Sequence, residues 1–120
     1  MDHLYPVRLA FNQAIAGFGT FQSAGITMSY TERLEGLEYL CTTNQKIEIF
    51  GSIDGTTLDP GDVQTVVASS GVMTKFDHVA LPNMTAPFVI LKVTELSGGA
   101  GALAMSAWLR ENITAWGQSR

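Results

Sequence analysis

Apolar and polar positions alternate along most of this chain in short runs, and Gly, Pro, Asn or Asp interrupts them every 8 to 12 residues. That spacing predicts an all-β domain. The clearest run is 45–53, which puts Ile47, Ile49, Gly51 and Ile53 on one face and Lys46, Glu48, Phe50 and Ser52 on the other. Before it, 37–42 is a second strand, and Thr43-Asn44 is a polar connection short enough to predict an antiparallel hairpin. After it comes Asp54-Gly55, a turn dipeptide whose glycine accepts positive φ without steric cost. The segment 58–62 with Pro60-Gly61 then reads as a loop, 63–68 and 73–79 as strands, and Pro82 and Pro87 bracket an irregular link. The most apolar strand is 88–96, and the Gly98-Gly99-Ala100-Gly101 turn predicts a final hairpin with 102–111.

The residues from 102 to 112 also include good helix formers. The alternation of Leu103, Met105, Ala107 and Leu109 with polar Ser106 and Arg110 favours strand. Residues 1–25 are less regular and read as an N-terminal arm or edge strand. Residues 26–113 form the sandwich, and 114–120 a C-terminal tail. The expectation is an antiparallel β-sandwich of about eight strands, jelly-roll-like, with the arm reaching onto a neighbour.

Composition narrows the function. A chain of 120 residues, 46% apolar, holds one core and needs no staple, and its lone Cys41 has no partner within the chain. Only 15% of residues are charged, below the roughly 25% usual for soluble domains, so part of the surface is expected to be apolar or covered by a partner. Seven scattered cations against 11 acidic residues disfavour nucleic acid, and no apolar run reaches the length of a membrane helix. The N-terminus shows neither the basic start nor the apolar stretch of a secretory signal, so assembly in the cytoplasm is expected.

Candidate chemistry is thin. Asp77 and His78 are adjacent in a strand and point to opposite faces. Cys41 reads as a buried inert thiol. Asp54, Asp59 and Asp62 raise a calcium question, but their spacing is not that of an EF-hand and Asp is a common turn former. Glu32, Glu35 and Glu38 read as a solvated acidic face rather than a glycosidase pair. The glycine-rich turns lack the lysine of a phosphate loop. No cofactor, metal or enzyme activity is expected.

The informative feature is an excess of apolar residues. If 88–96 and 102–111 form one hairpin, Val89, Leu91 and Val93 face the core, and Phe88, Ile90 and Trp108 face outward, where an antiparallel sheet should be polar. Such a patch marks contact with another surface, unless the chain's own ends fold over it. An exposed Trp108 or Trp116 would also suit stacking on sugar rings, which keeps a carbohydrate- or receptor-binding fibre module as the alternative.

From about Leu37 to Leu109, the strand with Ser52-Ile53-Asp54-Gly55-Thr56-Thr57, the proline-led strand Ala86-Pro87-Phe88-Val89-Ile90-Leu91-Lys92-Val93, the Gly-rich turn and the closing apolar strand appear in order. This order resembles a jelly-roll-like β-sandwich of tailed-phage virion proteins, found in capsid decoration (cement) proteins and in head or tail fibres. The sequence departs from that pattern at Ile90, where a polar residue is frequent, and at Leu58, where a tryptophan often follows the turn. The resemblance implies a non-catalytic virion protein on the capsid surface that binds the major capsid protein and itself, as a homotrimer. Its contacts would be drawn from Tyr5, Phe11, Phe18, Phe21, Phe88, Ile90, Trp108 and Trp116.

Overall fold

A computed structural model describes residues 2–28, 32–69, 77–80 and 86–112. In them, alternation builds nine strands: β1 Asp2–Ile15, β2 Thr20–Gln22, β3 Ile26–Thr27, β4 Glu32–Cys41, β5 Gln45–Ser52, β6 Gln64–Ala68, β7 Asp77–Ala80, β8 Phe88–Glu95 and β9 Gly101–Asn112. They form two antiparallel sheets. The front sheet runs β1-β9-β4-β7, and the back sheet runs β2-β8-β5-β6 with β3 also on β8.

The pairing has a simple logic. β1 pairs with β9, β2 and β3 with β8, β4 with β7, and β5 with β6. These pairs are nested, as in one long hairpin, and winding that hairpin up adds the closing pairs β4 with β9 and β5 with β8. The result is a jelly roll: an all-β sandwich in which the two halves of the hairpin interleave in both sheets.

The inward faces make one core. Leu34, Leu37, Ile47, Ile49, Val89, Leu91, Val93, Leu103, Ala107 and Leu109 are fully buried in it, and Cys41 and Met105 nearly so. Each large aliphatic side chain so buried contributes roughly 1.5–3 kcal/mol. Leu34 and Leu37 are three apart, which strict alternation forbids. A bulge between Leu34 and Gly36 restores the phase.

Two expected hairpins are absent, for one reason. Residues 42–44 and 96–100 each carry the chain from one sheet to the other, so β4 and β5 face each other across the core, as do β8 and β9. Thr42 stays with the front sheet, its N–H donating to Ala102 O at 3.1 Å and its hydroxyl accepting from Ala102 N–H at 2.8 Å. Only then does the chain cross. Of the two readings of the N-terminal segment, arm or edge strand, residues 2–15 take the second: they pair with β9 along the edge of the front sheet and are part of the sandwich. Residues 102–111 lie within strand β9, as the alternation predicts. The tail 114–120 lies outside the described residues.

Candidate contact surface at the arched end

Three connections cross between the sheets at one end of the molecule: residues 16–19, 42–44 and 96–100. They are tied together by Glu95, the last residue of β8, whose side chain is fully buried. Its carboxylate accepts from the Gly98 N–H at 2.7 Å, the Ser97 hydroxyl at 2.6 Å, the Ser97 N–H at 3.0 Å and the Phe18 N–H at 3.3 Å. Its own N–H donates to Gly19 O at 2.9 Å, and the next N–H, of Leu96, to Asn44 O at 2.9 Å. Burial alone would raise the Glu95 pKa. Hydrogen bonds from the Ser97 and Thr43 side chains, and then from the N–H groups of Ser97 and Gly98, outweigh it and hold the carboxyl down at about 2.

Beside Glu95, its cross-strand neighbour Gln45 is fully buried and donates from Nε2 to Thr43 Oγ1 at 3.3 Å and Ala102 O at 3.2 Å. Close backbone approach completes the knot. A Cβ on Gly17 would lie 2.0 Å from Gly98 O, and one on Gly98, at φ 88°, would lie 2.9 Å from the Phe18 ring.

This end displays Phe18, 70% exposed and at φ 56°. Left-handed backbone at a bulky residue costs of order 1–3 kcal/mol and persists only where surrounding structure imposes it. The Glu95 clamp supplies that structure. Nearby, on the outer face of the front sheet, Phe11 is 72% exposed, next to Asn12 at φ 52° and within the register shift of β1 between Ala10 and Gln13. The Arg8 guanidinium carbon lies 5.0 Å from the Phe11 ring centroid, a cation–π distance. Both residues border an open groove of about 190 Å³, lined also by Glu38, Leu40, Ala104 and Ser106.

The other residues expected to make contacts lie elsewhere. Tyr5 and Phe21 pack against the core. Phe88, Ile90 and Trp108 do not share a patch, because β8 and β9 belong to different sheets and their outer faces lie on opposite sides of the molecule. Ile90 lies beside its cross-strand partner Phe50 and is 0% exposed within the single chain, which corrects its assignment to an outward surface. Phe88 is half-buried, with Gly55 of the 53–57 turn lying against its ring. Trp108 is half-buried in the register row of Pro6 and Gly36, and its indole nitrogen is buried without a hydrogen-bond partner. Trp116 lies outside the described residues.

The polar motifs have structural roles. Asp54 accepts from the N–H groups of Thr57 at 2.7 Å and Thr56 at 2.9 Å, and from the Thr57 and Ser52 hydroxyls at 2.8 and 3.1 Å. These bonds, the Thr57 N–H foremost, hold its carboxyl well below the usual carboxylate range. Gln22 Nε2 donates to Thr56 O at 3.1 Å and ties that turn to β2. Asp62 accepts from the Thr65 hydroxyl. Glu35 is salt-bridged to Arg110 at 3.2 Å and Arg33 at 3.5 Å, and the Arg110 hydrogen bond is the main cause of its lowered pKa. Ile53, which alternation places on the face of Ile47 and Ile49, lies past the end of β5 and is exposed, and Val63 and Val67 are exposed apolar residues that sequence reasoning did not single out. Val67 had a signal in the alternation of β6, where it faces outward opposite Lys46.

No protein-family profile and no curated protein sequence matches the chain. Solved structures share its fold at low identity. A chain from Bacillus endospore appendages, a family of disulfide-linked pili, is similar with a TM-score of 0.51 and 11% identity over 93% of this chain and 90% of that one. VP2 in the subviral particle of infectious bursal disease virus is similar with a TM-score of 0.55 and 16% identity, over 92% of this chain and 33% of that one. PirA is similar with a TM-score of 0.52 and 8% identity over 89% and 92% of the two chains. This chain therefore spans about a third of VP2 and nearly the whole of the other two. At these identities the likeness is one of fold.

Proposed function

We propose that the protein is a non-catalytic structural component of a phage virion, which binds the assembled capsid, associates with copies of itself and reinforces the shell. One observation carries the reading: the arched end holds Phe18 out in solvent on backbone imposed by a buried carboxylate. A residue whose backbone is fixed in advance loses less conformational entropy on binding, as a contact residue should. Support comes also from the fold, shared with the VP2 particle and the endospore pili, whose chains are built into assemblies. Two of the polar clusters in the described part of the chain serve turns and arches: Glu95 the arched end, Asp54 the loop after β5. Cosedimentation of purified protein with preformed capsids of the phage that encodes it tests the reading. Saturable retention at a fixed number of copies per shell supports it, and recovery of all the protein in the supernatant at micromolar concentration refutes it.

A further inference from the structure

We propose that β6 of one copy pairs antiparallel with β6 of a second copy about a two-fold axis at Thr65, so that the two back sheets join into one. The inference rests on the self-association in the reading above and assigns the strand that makes it. An edge strand offers a row of backbone N–H and C=O groups to any extended chain, and proteins ordinarily blunt such edges with short strands, proline, charge or bulges. Among the described residues the other edges are blunted: β1 has Pro6, Arg8 and two register shifts, β7 has Asp77 and His78, and β2 is three residues long. β6 pairs with β5 in unbroken register and, among the described residues, has no strand on its other side. Its residues Gln64-Thr65-Val66-Val67-Ala68 hold no charge, proline or glycine. Val67 is 61% exposed, and Val63, just before the strand, 49%.

The order of residues along this edge selects a second copy. Run antiparallel to itself about Thr65, the segment places Val63 opposite Val67, Gln64 opposite Val66 and Thr65 opposite Thr65. Pairs of β-branched residues and Thr–Thr pairs are favourable cross-strand neighbours. No charge meets its like. Asp62, which accepts from the Thr65 hydroxyl, falls opposite Ala68, and the charges beside β6 on β5, Lys46 and Glu48, are paired with each other at 3.6 Å. In a chain of net charge −4, whose copies repel one another at long range, an uncharged edge is where that repulsion acts least. The contact is the same patch on both copies, so it closes at a dimer.

A strand contact of this length is at the small end of specific interfaces, so association is read at about 100 µM, by size-exclusion chromatography with light scattering. Circular dichroism confirms that each variant folds. Wild type should run at twice the mass of one chain. Thr65→Lys sets two lysines opposite each other at the axis and Thr65→Glu two glutamates, and each should weaken association at least tenfold. An equimolar mixture of the two should regain it, because lysine then faces glutamate. Amide exchange in β6 should slow as concentration rises, while staying faster than in β8, since the contact opens without unfolding the chain. A wild type that runs as a monomer or a trimer, a Thr65→Lys protein as associated as wild type, a mixture that stays monomeric, or β6 exchange independent of concentration would overturn the proposal. A monomeric wild type that still cosediments with capsids refutes this contact and spares capsid binding; a dimer that ignores capsids does the reverse.

Discussion

At the residue scale, Glu95 and Ile90 show how one strand buries both a carboxylate and an aliphatic side chain expected at the surface. The Glu95 carboxyl titrates at about 2 in the fold against 4.5 ordinarily, so its ionised form stabilises the folded state. That contribution is complete above about pH 4.5 and is lost as the pH falls toward 2. Glu95→Gln keeps the shape but turns an amide donor toward N–H groups that need an acceptor. Thermal melts from pH 7 to pH 2 should show the variant less stable at neutral pH, with the gap to wild type closing below pH 4.5. A gap that stays constant with pH would contradict the assignment. Ile90→Ala removes a side chain with no exposure and should cost about 2–4 kcal/mol in urea unfolding. A cost under about 0.5 kcal/mol would return Ile90 to the surface.

At the scale of elements, strands were legible and their partners were not. The alternation Ile47, Ile49 and Leu103, Met105, Ala107, Leu109 places β5 and β9 nearly to the residue, since one face of each is buried. The Asp54-Gly55 turn was equally legible, because the conformation is local. A link of three residues between two alternating strands reads the same whether it folds back into a hairpin or arches over a core. What decides here is distant: Thr42 bonds to Ala102, and Glu95 to Phe18. That one ambiguity also displaced the candidate site. It joins Phe88, Ile90 and Trp108 into a patch, while Phe11 and Phe18, also expected among the contacts, are assigned to an arm rather than to an edge strand and an arch. The positive φ that makes Phe18 informative leaves no mark in sequence. The wound hairpin predicts that β4, β5, β8 and β9, each bonded on both sides, have the slowest amide exchange, and that β1 and β6, at the margins among the described residues, exchange faster. Exchange in β6 as slow as in β8 would mean a different strand order.

At the scale of the whole molecule, the nested pairing gives the fold one well-braced end. Residues 16–19 and 96–100 are tied to Glu95 there, 42–44 are bonded to Leu96, and the exposed Phe18 stands on this knot. A small subunit with a rigid contact end suits repetition, because each copy on a shell adds its interaction to an assembly already formed. The measurement that tests this most directly is the temperature at which virions release their DNA, compared between particles that carry the protein and particles made without it. The account predicts release at a lower temperature from particles without it, and recovery when purified wild-type protein is added back. Identical release temperatures, or purified virions that never contain the protein, would contradict it.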